Sequence, residues 1–235
     1  MTFWRITLKR SMNLGKSYVV TGIAIAVYGI IIANILPLIA TNPIIPISIS
    51  INLRNIFPIL SVAFLSLSAT FFSSAPVVIL FVYDKNNGVF EYLLSTGLDQ
   101  FDIFKGYVKA SLLLAVSLLA SAIAVNTAIG IYTRSSLMLL ATITVLTFSI
   151  GISAVFLVTV SMIAFSSLQK TRTGANSPLG LTIGMIPIYP ALILPIVIPS
   201  YALIIDISVA AVTLLASFGI FLSIGRLIMR EKLLS

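Results

Sequence analysis

Leu137-Met-Leu-Leu-Ala-Thr-Ile-Thr-Val-Leu-Thr-Phe-Ser-Ile-Gly-Ile-Ser-Ala-Val-Phe-Leu-Val-Thr-Val-Ser-Met-Ile-Ala-Phe-Ser-Ser-Leu168 contains no charged side chain over 32 residues. About 20 apolar residues are enough to cross the roughly 30 Å of hydrocarbon in a bilayer. Comparable runs lie at roughly 18–40, 57–83, 106–131, 179–199 and 203–225, separated by short polar segments and one longer stretch, 84–105. Some exceed the minimum and must tilt, kink or extend past the membrane. Across the 235 residues, 59% are hydrophobic and 9% charged, and mean hydropathy is +1.17. Soluble domains carry about a quarter charged residues, so this chain reads as an all-α membrane protein with six transmembrane helices.

The net charge of +8 does not point to nucleic acid, because the basic residues flank apolar runs. Arg5, Lys9, Arg10, Lys16, Lys85, Lys105, Lys109, Lys170, Arg172, Arg226, Arg230 and Lys232 fall on one side of a six-span arrangement. Only Arg54 and Arg134 fall on the other. That asymmetry places the N and C termini in the cytoplasm. The first apolar run is too long for a signal-peptide core and ends at no convincing cleavage site. Before it, Trp4, Leu8 and Met12 recur at i, i+4, with Arg5, Lys9 and Lys16 towards another side. The pattern predicts a short amphipathic interfacial helix over 1–17, leading into a transmembrane domain over 18–235.

Cysteine and histidine are both absent. That removes disulfides, thiolate sites, most zinc and haem ligation, and Ser-His or Cys-His catalysis. No catalytic residue, metal site or cofactor site is expected, so the chain is not an enzyme by itself. Gly15-Lys16-Ser17 ends like a phosphate-binding loop, but Arg10 stands where the required first glycine would be, and no strand precedes it. The spans hold almost no ionisable side chains. Asp206 is expected in the outer loop between spans five and six, which weighs against an ion-coupled carrier.

Ser61, Ser66, Ser68, Thr70, Ser73 and Ser74 supply polarity in the second span, either as packing contacts or as the lining of a substrate path. Gly180 and Gly184 form a GxxxG pair suited to a helix contact. Pro76 should kink the second span, and Pro187, Pro190, Pro195 and Pro199 should break the fifth.

The connection between spans two and three is the most informative loop: Tyr83-Asp-Lys-Asn-Asn-Gly-Val-Phe-Glu-Tyr-Leu-Leu-Ser-Thr-Gly-Leu-Asp-Gln-Phe-Asp-Ile-Phe-Lys-Gly106. Val89, Phe90, Leu93 and Leu94 give a short helix an apolar face, Glu91 lies on its flank, and Thr96-Gly97 ends it. Asp99 is expected to cap the next helix in a capping-box-like arrangement with Asp102. A short amphipathic helix here suits docking into a partner's groove or an interfacial loop touching lipid.

This loop resembles the signature of type-two ABC transporter permeases, the transmembrane subunits of ATP-binding cassette exporters. Asp84, Gly88, Glu91, Leu93, Leu94, Thr96, Asp102, Ile103 and Gly106 match at the family's spacing. Gly97 stands where the family has Pro, and Tyr107 where it has Lys, with Lys109 nearby. The resemblance implies a cytoplasmic coupling helix at 88–96, seated in a cleft of a separate ATPase subunit through Gly88, Phe90, Glu91, Leu93, Leu94, Thr96 and Asp102. Glu91 would face that ATPase or the N-terminal helix. ATP and Mg would belong to the ATPase, and a second permease subunit, identical or paralogous, would complete a dimer in a prokaryotic plasma membrane. The alternatives are a non-transporting assembly or immunity subunit and an ion-coupled carrier.

Overall fold

The computed structural model describes residues 3–39, 47–133, 135–165, 185–186 and 188–227. Within them every regular element is helical: α1 (Phe3–Leu14), α2 (Lys16–Ile39), α3 (Ile47–Ala69), α4 (Ala75–Asn86), α5 (Val89–Ser95), α6 (Gln100–Tyr132), α7 (Leu137–Phe165), α8 (Ile188–Val197) and α9 (Ala202–Leu227). A π-turn, Thr70–Ser74, joins α3 to α4, and a short 3-10 turn, Pro199–Tyr201, joins α8 to α9.

Among the described residues, five helical segments are long and apolar enough to cross a membrane: Lys16–Leu38, Ile56–Asn86, Gln100–Tyr132, Leu137–Ser161 and Pro199–Ser223. They mark a membrane protein. The fifth apolar run contributes the ten-residue α8, with Pro195 inside it and the non-helical Ile198 after it. Much of α2 and α9 is bare apolar surface, including Val20, Ile23, Val27, Ile204, Leu215, Phe218 and Leu222. A water-soluble protein would not expose so continuous an apolar surface. In contrast, the α3–α4 segment is mostly buried and forms the centre of the bundle.

The close approach of α2 to that centre is written in glycine. Gly15, Gly22 and Gly29 recur every seven residues and oppose Pro76, Phe72 and Phe64 in turn. The descending order of the partners makes the helices antiparallel. A Cβ on Gly22 would fall 2.7 Å from the Phe72 backbone nitrogen, so the two backbones approach at a distance that only glycine allows. Membrane helices gain little from apolar association in lipid, and small residues let them pack backbone to backbone.

The kink expected at Pro76 takes the form of the π-turn. Proline has no N–H to offer the carbonyl four residues back. Just before it the ladder lengthens, and the Ala75 N–H donates to the Thr70 carbonyl five residues earlier. The turn is buried against α2 and α6, with Thr70, Phe72, Ser73 and Ser74 all inside.

Gly22→Ala should force α2 away from the π-turn and cost about 1–3 kcal/mol, read as a lower unfolding midpoint in detergent. Gly219→Ala, where an added Cβ meets nothing within 4 Å, should leave the midpoint unchanged.

Candidate functional site

The loop 84–105 folds as the end of α4, the short helix α5 and the start of α6. Gly88 precedes α5 with φ +69°, a left-handed conformation that glycine adopts without strain. At the other end, the Gly97 N–H donates to the Leu94 carbonyl (3.1 Å) and the Leu98 N–H to the Leu93 carbonyl (3.3 Å). With Gly97 at φ +85°, this is a Schellman termination. Proline, fixed near φ −65° and lacking an N–H, cannot occupy position 97 here. The departure from the permease pattern therefore follows from the way this helix ends.

The apolar face of α5 is turned inward. Phe90 is buried and Leu93 and Leu94 half-buried against a core that includes Phe81, Phe104 and Tyr107. Phe81, Phe90 and Tyr107 meet as a three-ring cluster with centroids 4.9–6.0 Å apart, and Phe3 of α1 meets Tyr107 edge-on at 5.7 Å. The exposed side carries Glu91, Tyr92 and Ser95, beside Tyr83 of α4. Thr96 is exposed and donates its hydroxyl to the Leu93 carbonyl. Asp99 does occupy the N-cap of α6, with extended backbone, but its side chain makes no capping hydrogen bond. Asp102 instead lies 3.8 Å from Lys105 on the exposed surface, so the expected capping box is not formed.

Beneath this loop lies a polar clamp. Asp84, 1% exposed, accepts two hydrogen bonds from the Arg10 guanidinium, at 3.0 and 2.5 Å. It accepts a third from the Tyr107 hydroxyl at 2.6 Å. A planar guanidinium meeting a carboxylate through two nitrogens gives a directional, charge-assisted pair. Three helices, α1, α4 and α6, are thereby tied at one end of the bundle, next to α5.

Arg10 is expected from sequence only as one of the orientation charges, and Tyr107 only as a departure from the permease pattern. Their common partner Asp84 is 74 residues from Arg10 and 23 from Tyr107. Spacing along the chain cannot reveal a contact of that range. The inward face of α1 is also offset by one position from the expected one. Thr7 and Ser11 are its buried residues, while Leu8 and Met12 pack at the side. Trp4 lies under Arg5 and Lys109, at 5.3 and 5.2 Å from its ring centroid. Helix α1 is thus docked on α4 and α6.

Higher in the bundle, the hydroxyls of the second span face neighbouring helices. Ser61, Ser66, Ser68, Thr70, Ser73 and Ser74 are all buried. Most return a hydrogen bond to their own helix, but Ser74 reaches α7, donating to the Val155 carbonyl at 3.3 Å. Thr159 joins Ser74 (3.2 Å) to Ser111 of α6 (2.8 Å). Asn34 of α2 donates to Asn126 of α6 at 2.8 Å, both buried. An isolated Asn in each of two apolar runs was the available sequence signal for that link. Asp206 is not in a loop: it lies in the second turn of α9, fully buried. Gly180 and Gly184 lie outside the described residues. Among the described residues no group of three or more acidic, His or Cys side chains could hold a metal.

Arg10→Met strands the Asp84 carboxylate and should cost about 3 kcal/mol, whereas Tyr107→Phe should cost about 1 kcal/mol. Asp84→Asn should fall between them, because the Arg10 side chain is 38% exposed and water compensates for part of its loss. Chemical denaturation in detergent gives the ranking. Gly97→Pro should open the end of α5 at a cost of about 3 kcal/mol, seen as faster proteolysis between residues 88 and 99. No protein-family model, curated protein or solved structure matches the chain.

Proposed function

We propose that the chain is the transmembrane subunit of an ATP-binding cassette exporter, moving a substrate out of the cytoplasm with energy from a separate ATPase subunit. In this reading it crosses the plasma membrane of a prokaryotic cell six times, with both termini in the cytoplasm. Helix α1 is the interfacial helix, and α5 is the coupling helix. A second permease subunit, identical or paralogous, completes the substrate path.

The observation that carries the reading is the construction of α5. A seven-residue helix links two segments long enough to cross a membrane, and its apolar face is locked inward by Phe90, Leu93 and Leu94. Glu91, Tyr92 and Ser95 are left outward. A helix held in this way can receive a push at its outer face and pass it to both neighbours, because closely packed interiors deform little. The clamp at Asp84 extends the rigid unit to α1. The signature residues find physical roles in the same geometry: Asp84 accepts the clamp, Gly88 allows the turn, and Glu91 is exposed where a partner could meet it. ATP binding and closure of two ATPase subunits would then rock α4 and α6 together, giving alternating access by rigid-body motion. Bond-making chemistry stays in the partner.

A second reading, an ion-coupled carrier, is favoured by one observation, the buried Asp206 in α9. It predicts sodium- or proton-dependent uptake without a partner.

The test is co-purification of the tagged chain in mild detergent with measurement of ATPase activity. Tyr92→Ala and Glu91→Ala remove outward side chains without disturbing the core. Loss of an exposed aromatic anchor of about 2 kcal/mol should reduce ATPase retention roughly 30-fold, while the detergent melting temperature stays that of the wild type. Elution without an ATPase, together with ion-dependent uptake, would replace the exporter reading with the second one.

A further inference from the structure

Four buried side-chain oxygens have no hydrogen-bond partner among the described residues: Ser66 Oγ, Thr147 Oγ1 and both carboxylate oxygens of Asp206. They come from three helices that pack on one another, α3, α7 and α9. The register of these helices follows from their contacts. Ser153 of α7 donates to Thr213 of α9, and Ile150 and Ala210 belong to one apolar cluster, so the two helices run parallel with an offset of about 60 residues. Ser74, at the end of the π-turn that follows α3, meets Val155 of α7, and Val62 of α3 clusters with Ile143 and Leu146, giving a parallel offset of about 80. Those offsets bring Ser66 and Thr147 to one level and Asp206 to within a helical turn of it.

The face of α9 that is turned into the bundle is narrow. From Ala202 to Leu222 its buried residues are Ala202, Asp206, Ala210 and Thr213, spaced i, i+4, i+8 and i+11, one stripe of a helix. Asp206 is the charged member of that stripe and is fully buried in it. The sequences of α7 and α8 contain no charged residue, α3 contains only Arg54, and α9 itself carries Arg226 about 30 Å further along. Tyr189 of α8 and Tyr201 before α9 are the other titratable side chains among the described residues of these elements, and both are exposed.

An ionised carboxylate without a partner in such surroundings is far too costly to persist. No fixed cation among the described residues neutralises it, so a mobile one must. The unpartnered groups at the same level are hydroxyls, whose oxygen lone pairs suit a proton donor or a small hard cation. We propose that Asp206 is a monovalent-cation site inside the membrane, taking up a proton or Na+ on a carboxylate that α3, α7 and α9 leave without a fixed partner. The proposal stands on the packing of these helices and is independent of whether an ATPase binds α5.

The site is tested in membranes containing the full chain with dicyclohexylcarbodiimide, an apolar reagent that modifies protonated carboxyls, and peptide mapping of the adduct. For a proton site, labelling of Asp206 should fall by about tenfold per pH unit above its titration point, with no effect of Na+ at constant pH. For a sodium site, Na+ but not choline should slow the labelling at constant pH. In either case Asp206→Asn should remove the adduct from that peptide. The melting-temperature shift with pH or Na+ should also be smaller in Asp206→Asn than in the wild type. Labelling that stays constant from acid to alkaline pH and in Na+, or a wild-type melting profile that Asp206→Asn reproduces, would overturn the proposal. Loss of the ATPase partner would not bear on it, and a failed labelling experiment would not bear on the exporter reading.

Discussion

The three hydrogen bonds received by Asp84 hold together the part of the molecule on which its proposed action depends. A carboxylate at 1% exposure must be compensated on the spot, and the compensation comes from two other helices, through Arg10 and Tyr107. Because the pairing is bidentate on one side and short on the other, it fixes orientation as well as distance. The aromatic rings of Phe3, Phe81, Phe90 and Tyr107 close over the same point. The short helix α5 therefore rests on a base of crossed polar and aromatic contacts. Removal of Arg10 would loosen α1 and unsettle the support of α5 together.

Away from that end, the bundle is assembled by small and weakly polar residues. Lipid competes on equal terms with apolar side chains, so association relies on close approach and on hydrogen bonds between helices. The glycine series at 15, 22 and 29 brings α2 and the turn before it against α3, the π-turn and the start of α4. The Ser74–Thr159–Ser111 chain and the Asn34–Asn126 pair join helices across the interior. Against this background of satisfied polar groups, Asp206, Thr147 and Ser66 stand apart. One end of the molecule invests its buried charge in rigidity, and another part holds a carboxyl group with no fixed partner among the described residues, an arrangement suited to binding something mobile.

Much of the fold was legible because its cause is local. A charge-free run such as 137–168 has few options besides a buried or membrane-spanning helix, and the ends of α5 follow from Gly88 and Thr96-Gly97. What stayed hidden depends on contacts between distant residues. Arg10 resembles every other basic residue flanking an apolar run until Asp84 is seen beneath it. The apolar positions Phe90, Leu93 and Leu94 define a face of α5, but only the packing tells that this face points to the core and that Tyr92 points away. The seven-residue spacing of Gly15, Gly22 and Gly29, just before and within α2, is readable in the chain and is more regular than the GxxxG at 180 and 184. Asp206 is expected in a loop because it stands at the very start of the last apolar run, soon after Pro199. The short 3-10 turn at 199–201 starts α9 early enough to draw it inside.

The account turns on the outward face of α5 being a contact for an ATPase. The chain has no cysteine of its own, so a single Tyr92→Cys substitution provides a unique reactive position without further engineering. Cross-linking from that cysteine in native membranes, with a short thiol-reactive photoprobe and identification of the captured chain, reads the contact directly. The predicted result is one adduct to an ATPase subunit, formed with the clamp intact and lost when Arg10 is changed to Met. Modification of the same cysteine by a membrane-impermeant maleimide added outside intact cells, with no protein adduct from the cytoplasmic side, would contradict it.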